Sequence, residues 1–117
     1  MHGLRARPKG GLLQLDKVAD FSALAERHFG AAAGAATAVF VALGTGIGSA
    51  LLLDGALYRG AFGVAPELGH LQVVPDGRPC PCGKSGCWER YCSGTALATT
   101  AVELLAREPG RSPLLSR

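Results

Sequence analysis

The sequence predicts an α/β fold, and three observations carry that expectation. Residues 20–29 repeat apolar side chains at helical spacing. Two short runs of β-type residues, Val39-Phe40-Val41 and Leu51-Leu52-Leu53, flank a glycine loop. A second helical pattern follows Ser93. With 117 residues the chain has room for one domain and not for two. Its 48% hydrophobic residues supply material for a core, and only 18% are charged, with no long charge block, which argues against disorder. A net charge of +3 is too mild to imply a nucleic-acid partner, and Arg5, Arg7 and Lys9 read as a solvated tail.

Residues 1–18 show no clear pattern. In the helix over 20–29, Phe21, Leu24, Ala25 and His28 share one face, and Gly30 ends it. Residues 31–36 extend that helix or link it onward. A strand is expected over 37–43, a loop over Gly44-Thr45-Gly46-Ile47-Gly48, and a second strand over 49–53. Asp54-Gly55 is a hairpin turn, because glycine accepts the positive φ such a turn needs. Residues 56–58 make a short third strand. Pro66-Glu67-Leu68-Gly69-His70 reads as a turn or short helix leading into a strand at 71–74. An irregular cysteine-bearing loop follows, then a helix starting near Trp88. Ser93 caps a longer helix through Leu105, with Leu97, Ala101, Leu104 and Leu105 on one face. Residues 111–117 are expected to fray.

The uncharged stretch 31–53 is long enough to cross a bilayer. Its glycines at 34, 44, 46 and 48 and its Thr37, Thr45 and Ser49 argue instead for two strands and a turn. At the start of the chain, Gly11-Leu12-Leu13-Gln14-Leu15 is too short for a secretory h-region, and Asp16 and Lys17 follow it. No membrane association is therefore expected.

Four cysteines fall within thirteen residues, at positions 80, 82, 87 and 92. Without a visible secretory signal, metal binding is favoured over a disulfide framework. Zinc takes four nitrogen or sulfur donors at tetrahedral angles, so the backbone must bend sharply between them. Gly83 and Gly86 permit that bend. Cys80, Cys82 and Cys87 form one tight loop, and His70 is the favoured fourth donor. The alternative is a four-thiolate site using Cys92, which otherwise reads as a buried, unliganded thiol. Four protein donors leave no position for a reactive water, so the site reads as structural. Such sites contribute about 10–16 kcal/mol in zinc-finger peptides.

The glycine loop can bring backbone N–H groups close to phosphate oxygens. It is not a dinucleotide fingerprint, because a strand and hairpin follow it rather than a helix. Nor is Gly83-Lys84-Ser85 a Walker A motif, since Arg78 stands where that pattern begins with glycine. Alone, the loop is equally well an ordinary hairpin bend.

The order Leu43-Gly44-Thr45-Gly46-Ile47-Gly48, Pro66-Glu67-Leu68-Gly69-His70, then Cys80-x-Cys82-Gly83-x-x-Gly86-Cys87-Trp88-Glu89 closely resembles the ROK family of repressors and sugar kinases. Arg78-Pro79-Cys80-Pro81-Cys82-Gly83 and Cys87-Trp88-Glu89-Arg90-Tyr91 look most like its bacterial glucokinases. The resemblance runs from about Leu24 to Leu105. It implies a fragment of the actin-like ATPase (ribonuclease H-like) fold carrying a zinc loop. It further implies that Gly44, Thr45, Gly46, Gly48 and Ser49 face the phosphates of Mg-ATP. By the same resemblance His70, Cys80, Cys82 and Cys87 hold Zn2+, and Glu67, His70 and Glu89 hold hexose hydroxyls, with glucose the expected sugar. A carboxylate can accept from two hydroxyls at once, and a zinc-bound imidazole has a fixed tautomer that leaves its other nitrogen for a ligand. A cytoplasmic homodimer is implied for the complete enzyme.

The departures from the family pattern are equally informative. No Asp-x-Gly-Gly-Thr phosphate loop is present. The family's general base, in a Glu-Asn-Asp-Ala-Asn segment, falls on Val18 when aligned without a gap; Asp20 matches only after a two-residue shift. Losing a general base typically costs ~10²–10⁴ in rate. The adenosine-binding segment would lie beyond Arg117. Residues 1–19 are therefore expected to be an unmatched, truncated or frame-shifted remnant, 20–110 the central part of a ROK kinase, and 111–117 a tail. A second expectation is a sugar-responsive repressor, although residues 1–19 are too short and glycine-rich for a DNA-reading helix-turn-helix. A third is a non-catalytic zinc- and sugar-binding remnant.

Overall fold

A three-stranded antiparallel sheet organises the molecule, with strand order β1-β2-β3. The structure is a computed structural model and describes residues 18–63, 66–108 and 110. Strands β1 (Ala38–Leu43) and β2 (Ile47–Leu53) form a hairpin with Phe40 opposite Ala50 and Leu43 opposite Ile47. The glycine loop is thus narrower than expected. Ile47 and Gly48 are already paired in β2, which leaves residues 44–46 to make the turn. β3 (Ala56–Leu57) follows the Asp54-Gly55 turn. Both turn residues have positive φ, 51° and 74°, as a two-residue hairpin requires. The long uncharged stretch is resolved as this hairpin, and no described helix is long and apolar enough to cross a membrane.

Helix α1 (Val18–Phe29) starts two residues earlier than its apolar pattern indicates and packs on the sheet by a different face. Ala19 and Ala23 are buried with Ala50, and Phe40 and Leu57 close around them. Phe21, from the expected inner face, is 56% exposed. Small residues win because the helix lies close: a Cβ on Gly48 would sit 3.6 Å from that of Ala19. Residues 31–36 do not extend α1. Gly30 and Ala32 N–H both donate to the Glu26 carbonyl, Ala31 N–H donates to its carboxylate, and the chain turns away.

An alanine-built core removes little apolar area from water, at about 25 cal/mol per Å². Val39, Val41 and Leu43 on β1, an edge strand of the sheet, remain exposed. Between α1 and β1 lies a hollow of about 480 Å³ lined mainly by alanines and valines, with Glu26 its one titratable group.

Beyond the sheet, a single 3₁₀ turn spans Leu68–His70. The strand expected at 71–74 reduces to one bridge, Gln72 to Cys87. Val73 and Val74 N–H instead share the Gly86 carbonyl, because the cysteine loop folds back onto this segment. Helix α2 (Glu89–Cys92) is one turn, and α3 (Gly94–Arg107) follows. Ser93 caps α3, its hydroxyl accepting from Ala96 N–H at 3.1 Å. The expected inner face of α3 is covered only in part, with Ala101 and Leu105 half-buried. Leu97 and Leu104 are exposed, and Ala96 is the residue that points inward. Of the expected N-terminal remnant, 1–17 lie outside the described residues, while Val18 and Ala19 belong to α1; the tail 111–117 also lies outside.

Candidate metal centre and adjoining site

Backbone geometry brings the donors together first. Cys80 N–H donates to Lys84 O, Gly83 N–H to Cys80 O, and Gly86 N–H to Arg78 O, closing a tight double turn. Gly83 and Gly86 take φ of 90° and 73°, the left-handed values that glycine adopts without a Cβ penalty. At Gly86 a Cβ would also overlap the Val74 carbonyl oxygen. The 3₁₀ turn is seated against β2 at Gly69, where a Cβ would come within 2.5 Å of Ile47 O, and this close approach delivers His70 to the loop.

One donor atom from each of His70, Cys80, Cys82 and Cys87 lies within 4.8 Å of all the others. His70 Nδ1 is 3.5 Å from Cys80 Sγ, and the Cys82 and Cys87 sulfurs are 3.6 Å apart. Tetrahedral zinc, with Zn–S of about 2.3 Å and Zn–N of about 2.0–2.1 Å, spaces its donors about 3.6–3.8 Å apart. The set therefore fits a tetrahedral thiolate-imidazole site. Nδ1 is the nitrogen that faces the sulfurs, which leaves Nε2 for a ligand or solvent. Cys92 is exposed and outside this group, so the four-thiolate alternative fails and Cys92 is not the buried thiol expected.

The thiols differ sharply. A backbone N–H at Lys84 holds the exposed Cys82 thiol below its ordinary range. Burial pushes the Cys87 thiol up to about 12, and its neighbours Cys82 and Cys80 add to the rise. Metal binding must therefore expel a proton held tightly at Cys87.

Glu89 opens α2, two residues past Cys87, so the cysteine loop places its carboxylate. One oxygen lies 3.6 Å from His70 Nδ1 and 3.8 Å from Cys80 Sγ. The other accepts from Ile47 N–H at 3.4 Å. That oxygen would be 2.9 Å from a Cβ at Gly46, so the glycine there makes room for it. Glu67 sits on the surface just before the 3₁₀ turn. Ser49 holds this corner: its hydroxyl donates to Pro66 O and accepts from Leu68 N–H, both at 3.0 Å. Ser49 is buried, and its hydroxyl is engaged on both sides by these two bonds.

The glycine loop is held from behind. Gly44 O accepts from Gly94 N–H at 2.7 Å and Thr45 O from Thr95 N–H at 3.4 Å, both at the start of α3. Gly44 N–H bonds to Gly46 O within the turn. Gly48 is a packing glycine against Ala19 rather than a member of the turn. Asp20 is buried on α1, 3.7 Å from Arg59 Nη2. Val18 begins α1 and is 84% exposed.

Sequence reasoning quoted Arg78 only as the start of a glucokinase-like run and as a mismatch to a phosphate-loop glycine, and gave it no role. Its Nη2 is 2.6 Å from Glu103 Oε2, its Nη1 donates to Arg90 O and Thr100 Oγ1, and its guanidinium lies over the Tyr91 ring.

Comparison with known proteins agrees with this geometry. The ROK family profile matches residues 13–111. A glucokinase from Streptomyces coelicolor is 42% identical over 97 residues, which are 83% of this chain and 31% of that protein. The xylose repressor of Bacillus subtilis is 39% identical over 83 residues, 71% of this chain and 22% of its own length. Among solved structures, a ROK family glucokinase from Streptomyces griseus in complex with glucose and AMPPNP superposes with a TM-score of 0.71 and 45% identity, over 78% of this chain and 29% of that one. A ROK family transcriptional regulator, homologous to the E. coli MLC protein, superposes at 0.70 with 32% identity, over 84% of this chain and 24% of its own. The chain thus spans less than a third of the length of these relatives. Its architecture is an α/β piece of the actin-like ATPase fold.

Proposed function

This chain belongs to the ROK family, and from that premise we propose that it is the central piece of a glucokinase-type sugar kinase, which moves the γ-phosphoryl group of Mg-ATP to a hexose hydroxyl. The observation that carries this reading is Glu89, whose carboxylate stands between His70 and the glycine loop. A sugar bound there meets acceptors for its hydroxyls from Glu89 and Glu67 and a ring nitrogen from His70. Gly44, Thr45 and Gly46 form the turn that faces the nucleotide phosphates. Zn2+ bound by His70, Cys80, Cys82 and Cys87 fixes the imidazole tautomer and ring orientation. In phosphoryl transfer the protein supplies chiefly positioning and charge stabilisation, plus one base for the attacking hydroxyl.

In this reading the base position falls on Val18, or on Asp20 after a two-residue shift. Val18 takes no proton, and the Asp20 carboxylate lies 3.7 Å from Arg59 Nη2. We therefore expect this chain alone to bind glucose but to turn over little or none. Isothermal titration with glucose and with AMPPNP, beside a coupled ADP-release assay, tests both halves. Turnover at ordinary kinase rates would refute the expected inactivity, and no glucose binding by zinc-loaded protein would refute the sugar site.

A sugar-responsive repressor is the second reading, favoured by the likeness to the xylose repressor. Salt-dependent retention of operator DNA in a gel shift would select it. Localisation in the cytoplasm and dimerisation of the complete enzyme belong to the kinase proposal.

A further inference from the structure

We propose that the metal loop is also the anchor of the glycine loop, and that Arg78 is the positioning residue that connects them. The inference rests on the cluster binding metal and not on the identity of the sugar. Two separate routes join the loops. The shorter runs through Glu89, which follows Cys87 by two residues and accepts the Ile47 N–H at the exit of the glycine turn. The longer one runs through α3. Arg78 lies two residues before Cys80, and its own carbonyl accepts from Gly86 N–H inside the metal loop. Its guanidinium ties that loop to Glu103 and Thr100 on α3 and to the Arg90 carbonyl on α2. Its N–H donates to Tyr91 Oη at 2.7 Å, fixing the same arginine from its backbone side. α3 in turn presents Gly94 and Thr95 N–H to the carbonyls of Gly44 and Thr45. A Cβ at Gly94 would lie 3.0 Å from Gly44 O, so the helix start is flush against the turn.

The fork geometry of arginine matters here. A guanidinium can reach a carboxylate, a hydroxyl and a carbonyl together, whereas a lysine ammonium is a single point charge on a flexible stem. Removing the metal frees the thiols and lets the 80–87 segment relax. Arg78 and Glu89 both leave with it, and the glycine turn loses both supports.

Hydrogen exchange on the zinc-loaded chain tests this through four amides: Gly44, Ile47, Gly94 and Thr95. Chelation is expected to accelerate exchange at all four, while α1 and the Asp54-Gly55 turn stay as they were. Glu103→Gln alters a part-exposed side chain on α3 that touches Arg78 but none of the metal donors. It should keep one zinc per chain by mass spectrometry and yet accelerate Gly94 and Thr95 by roughly threefold, the scale of a partly exposed ion pair. Arg78→Ala should give a larger effect and Arg78→Lys an intermediate one. The proposal is overturned if zinc leaves and the four amides keep their rates. Acceleration spread evenly over α1 and the hairpin would overturn it too, since that is general loosening. A chain that binds no zinc at all would refute the metal reading itself, which the zinc measurement separates from failure of the coupling.

Discussion

Cys82 and Cys87 stand with their sulfurs 3.6 Å apart and yet have opposite acidities. The first is exposed and stabilised as thiolate by a backbone N–H at Lys84, while the second is buried and holds its proton to about 12. Because the thiolate is the nucleophile, iodoacetamide should modify metal-free protein at Cys82 well before Cys87. Zinc should protect both. Peptide mass spectrometry over a labelling time course reads the order directly, and equal rates at the two sites would contradict the assigned environments.

Zinc loading should weaken as pH falls, and the sign follows from the thiols. At neutral pH the metal-free Cys87 is protonated, because its value lies far above 7. Metal binding therefore releases that proton, and each proton displaced lowers apparent affinity about tenfold per pH unit of acidification. Chelator competition between pH 6 and 8 measures the slope. Calorimetry in buffers of different ionisation enthalpy counts the protons.

Gly86→Ala should empty the metal site without touching a donor. The position has φ of 73°, and a methyl group would overlap the Val74 carbonyl. The left-handed conformation alone costs an L-residue about 1–2 kcal/mol, and the overlap adds to it. Zinc content near zero, together with a lowered melting temperature, is the expected result.

Ser49→Ala should destabilise the chain by about 1–3 kcal/mol, because it strips Leu68 N–H of its acceptor in a part-buried place. The turn bearing Glu67 and His70 would loosen, so glucose affinity should fall with the melting temperature. Ser49→Thr, which keeps the hydroxyl, should recover most of both if the pocket takes the extra methyl. Thermal melts and calorimetric titration on the same preparations check the pair.

The donors of the metal centre were legible because their chemistry is local. Three cysteines on a glycine-bearing loop can converge with few other arrangements, and His70 enters at the next bend. Ser93 and Asp54-Gly55 were legible for the same reason, since caps and turns are decided within four residues. The packing faces of α1 and α3 were not. Hydrophobic periodicity favours the large residues Phe21, Leu97 and Leu104, whereas close approach of α1 to the sheet selects Ala19 and Ala23, and Ala96 is the buried residue of α3. The strand expected at 71–74 failed because its N–H groups were claimed by Gly86, a partner twelve or more residues away. The role of Arg78 was invisible for a similar reason: nothing near it in sequence announces Glu103.

One practical matter comes from the first strand. Val39, Val41 and Leu43 lie along β1, which borders the sheet and carries no lysine, proline or bulge to discourage pairing. Purified chains at high concentration offer one another a ready template there, so light scattering should precede any calorimetry, and a lysine in place of Val41 is the change to try if particles grow.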